Sequence, residues 1–343
     1  MSPPVARPYL ISLSLLAIAA LLSIGVGPVF IPPGTAARML IDRLTSIAIA
    51  PDWPAAFVSI LFQIRLPHTA LMLLTGAALG GSGAAYQGLF RNPLADPYLI
   101  GVASGAGLGA VFALSMQWPS SLLGMYTLPA SAFLGATISI AIVYSLARVG
   151  RTVPSTTLIL AGVAFSAFAT SLMSFLMLRS NTELRRALTW LLGGAIMGGW
   201  QPVLAMLPYE LLGLGILIAS GHALNVLQFG EEQAQQLGIP IERIKLLVIL
   251  SASITTAAAV SFSGVIGFVG LVAPHVARLL WGPDYRALIP LSIIGGGSAL
   301  LLADMLARTV LAPQTLPVGI VTALAGAPFF LWLLRRAKSQ AYW

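Results

Sequence analysis

Charged residues make up only 8% of this 343-residue chain, against roughly 25% in ordinary soluble domains, which excludes a soluble fold. Cysteine is absent altogether, so disulfides, thiolate metal sites and cysteine nucleophiles are excluded. Histidines number three, and no second histidine or carboxylate stands at metal-ligand spacing from Glu210 or His275. HExxH and GxSxG do not occur. A nucleotide loop of the GxxxxGK[ST] type is missing too, since neither Lys245 nor Lys338 follows a glycine, so the chain cannot bind ATP in that way. No soluble domain interrupts the apolar segments. Any catalytic module must therefore be another polypeptide.

What the chain does have is apolar sequence, 58% of its residues, in long continuous runs. A transmembrane β-barrel would show ~10-residue alternating segments instead, and in lipid only helices and closed barrels satisfy the backbone. The fold expected is an all-α polytopic membrane protein, a single transmembrane domain over residues 1–343. A bilayer core of about 30 Å takes roughly 20 apolar residues per helix, and runs at 9–28, 56–88, 97–116, 122–147, 155–177, 202–220, 244–263, 265–281, 287–307 and 316–334 supply ten spans. The first run is long for a secretory signal and lacks a small-x-small cleavage site, which favours a first transmembrane helix. The eighth is the weakest, being short and interrupted by Pro274, His275 and Arg278. If it did not cross, everything after it would change sides.

The net charge of +8 raises nucleic acid as a partner only for a soluble protein. Here the basic residues sit in short connections and are read as orientation signals. With both termini cytoplasmic they are more frequent inside than outside, as the positive-inside rule requires. Trp53, Trp118, Trp200, Trp281 and Trp332 fall near span ends, where an aromatic belt belongs. Two external stretches, 30–55 and 178–200, are longer than turns. In the second, Glu183 to Leu188 followed by Trp190 has the pattern of an amphipathic helix at the outer surface, either a structural cap or a contributor to substrate access.

Glycine pairs Gly76/Gly80, Gly101/Gly105, Gly105/Gly109 and Gly194/Gly198 have the small-xxx-small spacing that lets helices approach closely. On the inner side, Arg91 to Pro97 forms a tight connection in which Asp96 and Pro97 suit an N-cap and first turn. A second inner turn offers Ser155 as N-cap. The two turns either just cap helices or together narrow a central path. Gly230 to Pro240 reads as a short cytoplasmic helix with Glu231 and Glu232 in its first turn and Gly238 at its stop, either a solvated helix or one pushed by a partner. On the outer side, Arg308 suits a helix C-terminus with Asp304 one turn earlier. Arg65, at the start of a helix, opposes the dipole and needs some other partner. Glu210, inside a span, must face protein or a wet cavity. For it and for His275 a structural role is expected; the alternative for Glu210 is the coupling carboxylate of an ion-driven secondary transporter.

Several strings in order resemble the FecCD-type permeases, which import ferric siderophores, haem and cobalamin. They are Ile64 to Pro67 (IRLP), Gly76 to Gly80 (GAALG), Gln87 to Pro97 (QGLFRNPLADP), Leu160 to Ala164 (LAGVA), Gln236 to Gly238 (QLG), Gly267 to Leu271 (GFVGL) with Pro274-His275, Ala303-Asp304, Leu316 to Gly319 (LPVG) and Gly326 to Pro328 (GAP). The resemblance implies the type II architecture of ATP-binding-cassette importer permeases in the inner membrane of a bacterium or archaeon. It implies a homodimer with its path at the dimer interface, two cytoplasmic ATPase subunits that bind ATP and Mg, and an external substrate-binding protein. By similarity, Asn92, Leu94, Ser155 and Thr156 form a cytoplasmic gate. Glu231, Glu232, Ala234, Leu237 and Gly238 contact the ATPase, while Arg65, His68 and Arg308 receive acids of the binding protein. The expectation is that the chain itself carries no cofactor, metal or catalytic residue. His68 departs from the family, which often has arginine there, and an imidazole would make the docking charge follow pH.

Overall fold

In a computed structural model the residues described are 6–45, 52–116, 124–150, 152–179, 184–194 and 197–340. Trp118 and Glu183 lie outside them. The described residues are almost wholly helical. In order they form α1 (Ala6–Gly25), α2 (Pro33–Leu44), α3 (Ala55–Ser59), a π-helical turn (Ile60–Arg65), α4 (Leu66–Leu89), α5 (Val102–Ser115), α6 (Thr127–Ala147), α7 (Ser155–Arg179) and α8 (Leu184–Leu191). The second half forms α9 (Gln201–Ala219), α10 (Gly221–Leu227), α11 (Glu231–Gln236), α12 (Ile241–Ser263), α13 (Val269–Trp281), α14 (Tyr285–Thr309) and α15 (Val318–Gln340).

Among the described residues seven helices are long and apolar enough to span a bilayer, and α5, α13 and α15 are shorter apolar helices. These ten elements correspond to the ten apolar runs. α12 is mostly buried and sits at the centre, whereas α1 and α7 carry exposed leucines and phenylalanines such as Leu10, Leu21, Leu160 and Phe168. Burial of apolar surface gives little drive between helices in lipid, so small residues and close approach hold the bundle. α4 packs on α14 through Gly76 and Gly80, where a Cβ would collide with the carbonyl oxygens of Gly296 and Ser292. Gly105 and Gly109 likewise set α5 against Gly135 and Ser131 of α6. Gly194 and Gly198 lie outside the helices: a Cβ on Gly194 would meet only the nearby Thr189, and one on Gly198 would meet open space.

The eighth run does cross, but only part of it is helix. Ser82 and Tyr86 donate to the carbonyls of Ala252 and Ile249, which fixes α12 antiparallel to α4 and puts Ser263 at the outer end. At the other end, Arg278 donates to Gln87 at 2.7 Å, beside Tyr285 and the last turn of α4. The chain between Ser263 and Tyr285 must therefore pass from outside to inside. The 13 residues of α13 span only about 20 Å, and non-helical residues 264–268 complete the crossing. α5 is shortened in the same way, with residues 92–101 irregular before it. The two irregular stretches pack together: Tyr98 Oη donates to the Ile266 carbonyl at 2.9 Å and accepts from the Ile266 amide at 3.2 Å. Irregular backbone inside a membrane is tolerated only when protein or a wet cavity satisfies it. Tyr98 does that here.

This also corrects the expectation for Asp96 and Pro97. They do not open a helix; Asp96 accepts from the Tyr98 amide at 2.8 Å in a local turn, and α5 begins at Val102 after Gly101 in the left-handed region.

Candidate functional site

At the outer end, α1, α4 and α14 meet around three basic side chains. Arg65 is 5% exposed, and its guanidinium donates to the Ile24 and Gly25 carbonyls, both at 2.7 Å, and to that of Val29. The charge that sits badly at the start of α4 thus lies at the C-terminal end of α1, where unsatisfied carbonyls and the helix dipole favour a cation. Arg308 supports the same helix end, donating to Ser23 Oγ at 3.0 Å and to the carbonyls of Ser23 and Val26. It also pairs with Asp304 at 2.8 Å, one turn earlier, as the spacing predicted. The second carboxylate oxygen of Asp304 lies 2.8 Å from His68 Nε2. Of the three side chains named for docking, His68 is the most accessible at 31%, with Arg308 at 13%. The structure brings Arg65, His68 and Arg308 together, but spends much of their hydrogen-bonding capacity internally.

Beside this cluster, α8 is the expected amphipathic helix. It buries Ala187 and Trp190 and leaves Leu184 and Leu188 exposed, and the Trp190 carbonyl accepts from the amide of Gly193. A Cβ on Gly264, where the irregular part of the eighth crossing begins, would meet that same carbonyl. α8 therefore caps the crossing from outside.

At the inner end, the Asn92 side chain accepts from the Leu94 amide at 2.9 Å, closing a turn around Pro93. α7 opens at Ser155 itself, so Pro154 rather than Ser155 takes the position before the helix. The turn is closed instead by Thr157, whose hydroxyl lies 2.9 Å from the carbonyls of Ala147 and Pro154. Thr156 is exposed and Ser155 partly so. α11 matches its expected form: acids in the first turn, Ala234 buried, Leu237 exposed, and Gly238 at φ +82° as the stop.

Four residues here escaped sequence reading. Lys245 is buried and donates to Glu231 at 2.8 Å and Glu242 at 3.4 Å, and Glu242 in turn accepts from the Val153 amide at 3.3 Å. The i,i+3 spacing of Glu242 and Lys245 was the available signal. Gln228 donates to the Gly88 carbonyl at 2.9 Å, with no signature in sequence. Asn225 joins α10 to the start of α14 through Asp284 at 2.6 Å and the Tyr285 amide. Hydrogen bonds from Arg286 and Asn225 hold the Asp284 carboxyl well below the usual carboxylate range, against partial burial. The inner ends of α4, α10, α11, α12 and α14 are thereby tied into one platform.

Residues 15–336 match the FecCD transport family. The chain belongs to that family. Among its FecCD relatives, the cobalamin import system permease protein BtuC of Halobacterium salinarum is 41% identical, over 97% of this chain and 92% of the relative. The hemin transport system permease protein HmuU of Yersinia pestis is 40% identical, over 81% of this chain and 84% of the relative. A solved structure described as an inward-facing conformation of a metal-chelate type ABC transporter superposes with a TM-score of 0.80 at 30% identity, covering 97% of this chain and 99% of that one. This FecCD chain is a multi-pass membrane protein, the permease subunit of an ATP-binding-cassette importer, and not itself an enzyme.

Proposed function

We propose that two copies of this chain enclose a path for a metal chelate, a ferric siderophore, haem or a corrinoid, driven by two cytoplasmic ATPase subunits that bind ATP and Mg. The observation that carries the reading is the family match over residues 15–336, together with relatives named for cobalamin and hemin transport. The permease contributes shape, walls and gates rather than bond chemistry, and needs no cofactor of its own. A loaded external binding protein docks on the outer cluster. Closure of the ATPases moves α11, and Asn92, Leu94, Ser155 and Thr156 open the inner gate.

The geometry refines the docking roles. His68 and Arg308, at the accessible edge of the cluster, meet the acids of the binding protein, while the buried Arg65 adds charge from beneath and holds α1. We further propose that docking depends on pH, because an imidazole stands here where the family often has arginine. Binding-protein affinity measured between about pH 5 and 8, in the wild type and in His68→Ala, tests that; flat and identical profiles would sink it.

The whole reading is tested by reconstituting the permease with its ATPase and binding protein in liposomes and offering cyanocobalamin, haem and a ferric siderophore in turn. Uptake of one of them that requires ATP supports the proposal. Uptake that persists without the ATPase and collapses with an ionophore would replace it with ion-coupled secondary transport.

A further inference from the structure

The inner platform contains two hydrogen-bonded connections that end on the two proposed gate segments. The first starts at Glu231, the opening residue of α11. Its carboxylate holds the Lys245 ammonium at 2.8 Å, that ammonium also reaches Glu242 at 3.4 Å, and the other oxygen of Glu242 accepts from the Val153 amide at 3.3 Å. Val153 is buried and stands two residues before Ser155. Thr157 fastens the same turn to the end of α6 through the Ala147 carbonyl. The second connection starts at Gln228, between α10 and α11, and holds the Gly88 carbonyl at 2.9 Å. Gly88 lies in the last turn of α4, directly before the Arg91 to Leu94 connection.

Local stability does not explain the first connection. Lys245 is buried while Glu231 and Glu242 are 45% and 38% exposed. Half-exposed carboxylates need no partner to stay charged in water, whereas a buried ammonium does. An apolar side chain of similar length would fill the site of Lys245 at no such cost. What the lysine adds is a directed bond from α11 to α12 and onward to the gate turn.

We propose that Lys245, Glu242 and Gln228 are positioning residues that carry the movement of α11 to both gate segments. Lys245 and Glu242 act through the Val153 amide on Ser155 and Thr156, and Gln228 acts through the Gly88 carbonyl on Asn92 and Leu94. The inference rests on the reading of α11 as the element that receives the ATPase.

The test uses the complete importer in liposomes, with ATP hydrolysis and substrate uptake measured separately. Lys245→Met and Glu242→Ala keep hydrolysis near the wild-type rate, but substrate moved per ATP falls by about fivefold or more, the scale of an ordinary coupling between sites. Lys245→Arg, which keeps a donor, restores most of the ratio. The Lys245→Met/Glu242→Ala double variant is no worse than either single, as members of one connection behave. Because the chain has no cysteine, Thr156→Cys supplies a unique thiol for a membrane-impermeant reagent. ATP alters its labelling in an otherwise wild-type chain and not when combined with Lys245→Met. An unchanged transport-to-hydrolysis ratio in Lys245→Met, or hydrolysis and uptake falling in step with thermal stability, overturns the linkage while leaving the importer reading intact. If the ATPase assembles and transport proceeds with the Glu231 to Gly238 helix removed from the contact, that reading falls and the linkage falls with it.

Discussion

Arg65 donates to the carbonyl oxygen of Gly25 at 2.7 Å, and so the first residue before α4 serves as the C-terminal cap of α1. A charged hydrogen bond contributes about 1.5–3 kcal/mol, and Arg65 makes three to backbone carbonyls at this one helix end. Arg65→Leu is therefore expected to lower the melting temperature of the detergent-solubilised permease and to expose α1 to proteolysis. Affinity for the binding protein should fall less than in Arg308→Ala. An unchanged melting temperature with binding abolished would assign Arg65 to docking alone.

The Tyr98 hydroxyl is the joint between the two irregular crossings. Tyr98→Phe keeps the ring but strips the Ile266 amide and carbonyl of their partner, and each buried group left unsatisfied costs about 1–3 kcal/mol. Thermal unfolding should show this as a clear loss of stability with the helix content unchanged. Gly83→Ala is expected to be worse, since its Cβ would collide with the Gly270 carbonyl; failure of the folded permease to accumulate in membranes is the readout. A Gly83→Ala protein as stable as the wild type would mean that α13 packs elsewhere.

The sequence showed the ten apolar elements because lipid demands a long uniform run for each crossing, and those runs dominate the composition. The half-helical crossings were visible only as weakness, in Pro274, His275 and Arg278 within 265–281. Their irregular backbone is stabilised by Tyr98, 168 residues away from Ile266, which no local pattern encodes. The same holds for Arg65, whose partners lie 36 to 41 residues upstream. Asp304 with Arg308 and the acids of α11 were legible, because helical spacing and the dipole act within a turn.

At the inner gate, Leu94 is held by a turn in which its own amide is bonded to Asn92. The side chain can therefore be shortened without undoing the backbone. Leu94→Ala should leave folding intact and raise the passive leak of a small solute through liposomes that contain the permease. Asn92→Ala should do the same while also loosening the turn. A leak equal to that of the wild type in both would remove this segment from the gate.

Glu210 separates the two transport mechanisms. It lies in α9, 1% exposed, and neither carboxylate oxygen has a hydrogen-bond partner among the described residues. Thr255, whose hydroxyl is also without a partner, packs on Gly213 one turn further along the same helix. A carboxyl group in such a place is costly, and replacing it by an apolar side chain of similar volume is often neutral or stabilising. In an ion-coupled transporter that cost would be retained for function, since the carboxylate would carry the coupling ion. In an ATP-driven permease it has no such use. Glu210→Leu should therefore raise the melting temperature and leave ATP-driven uptake within about twofold of the wild type, a change of under 1 kcal/mol. Uptake lost in Glu210→Leu, with sensitivity to an ionophore in the wild type, would favour ion coupling, because only that mechanism requires a carboxylate at this depth.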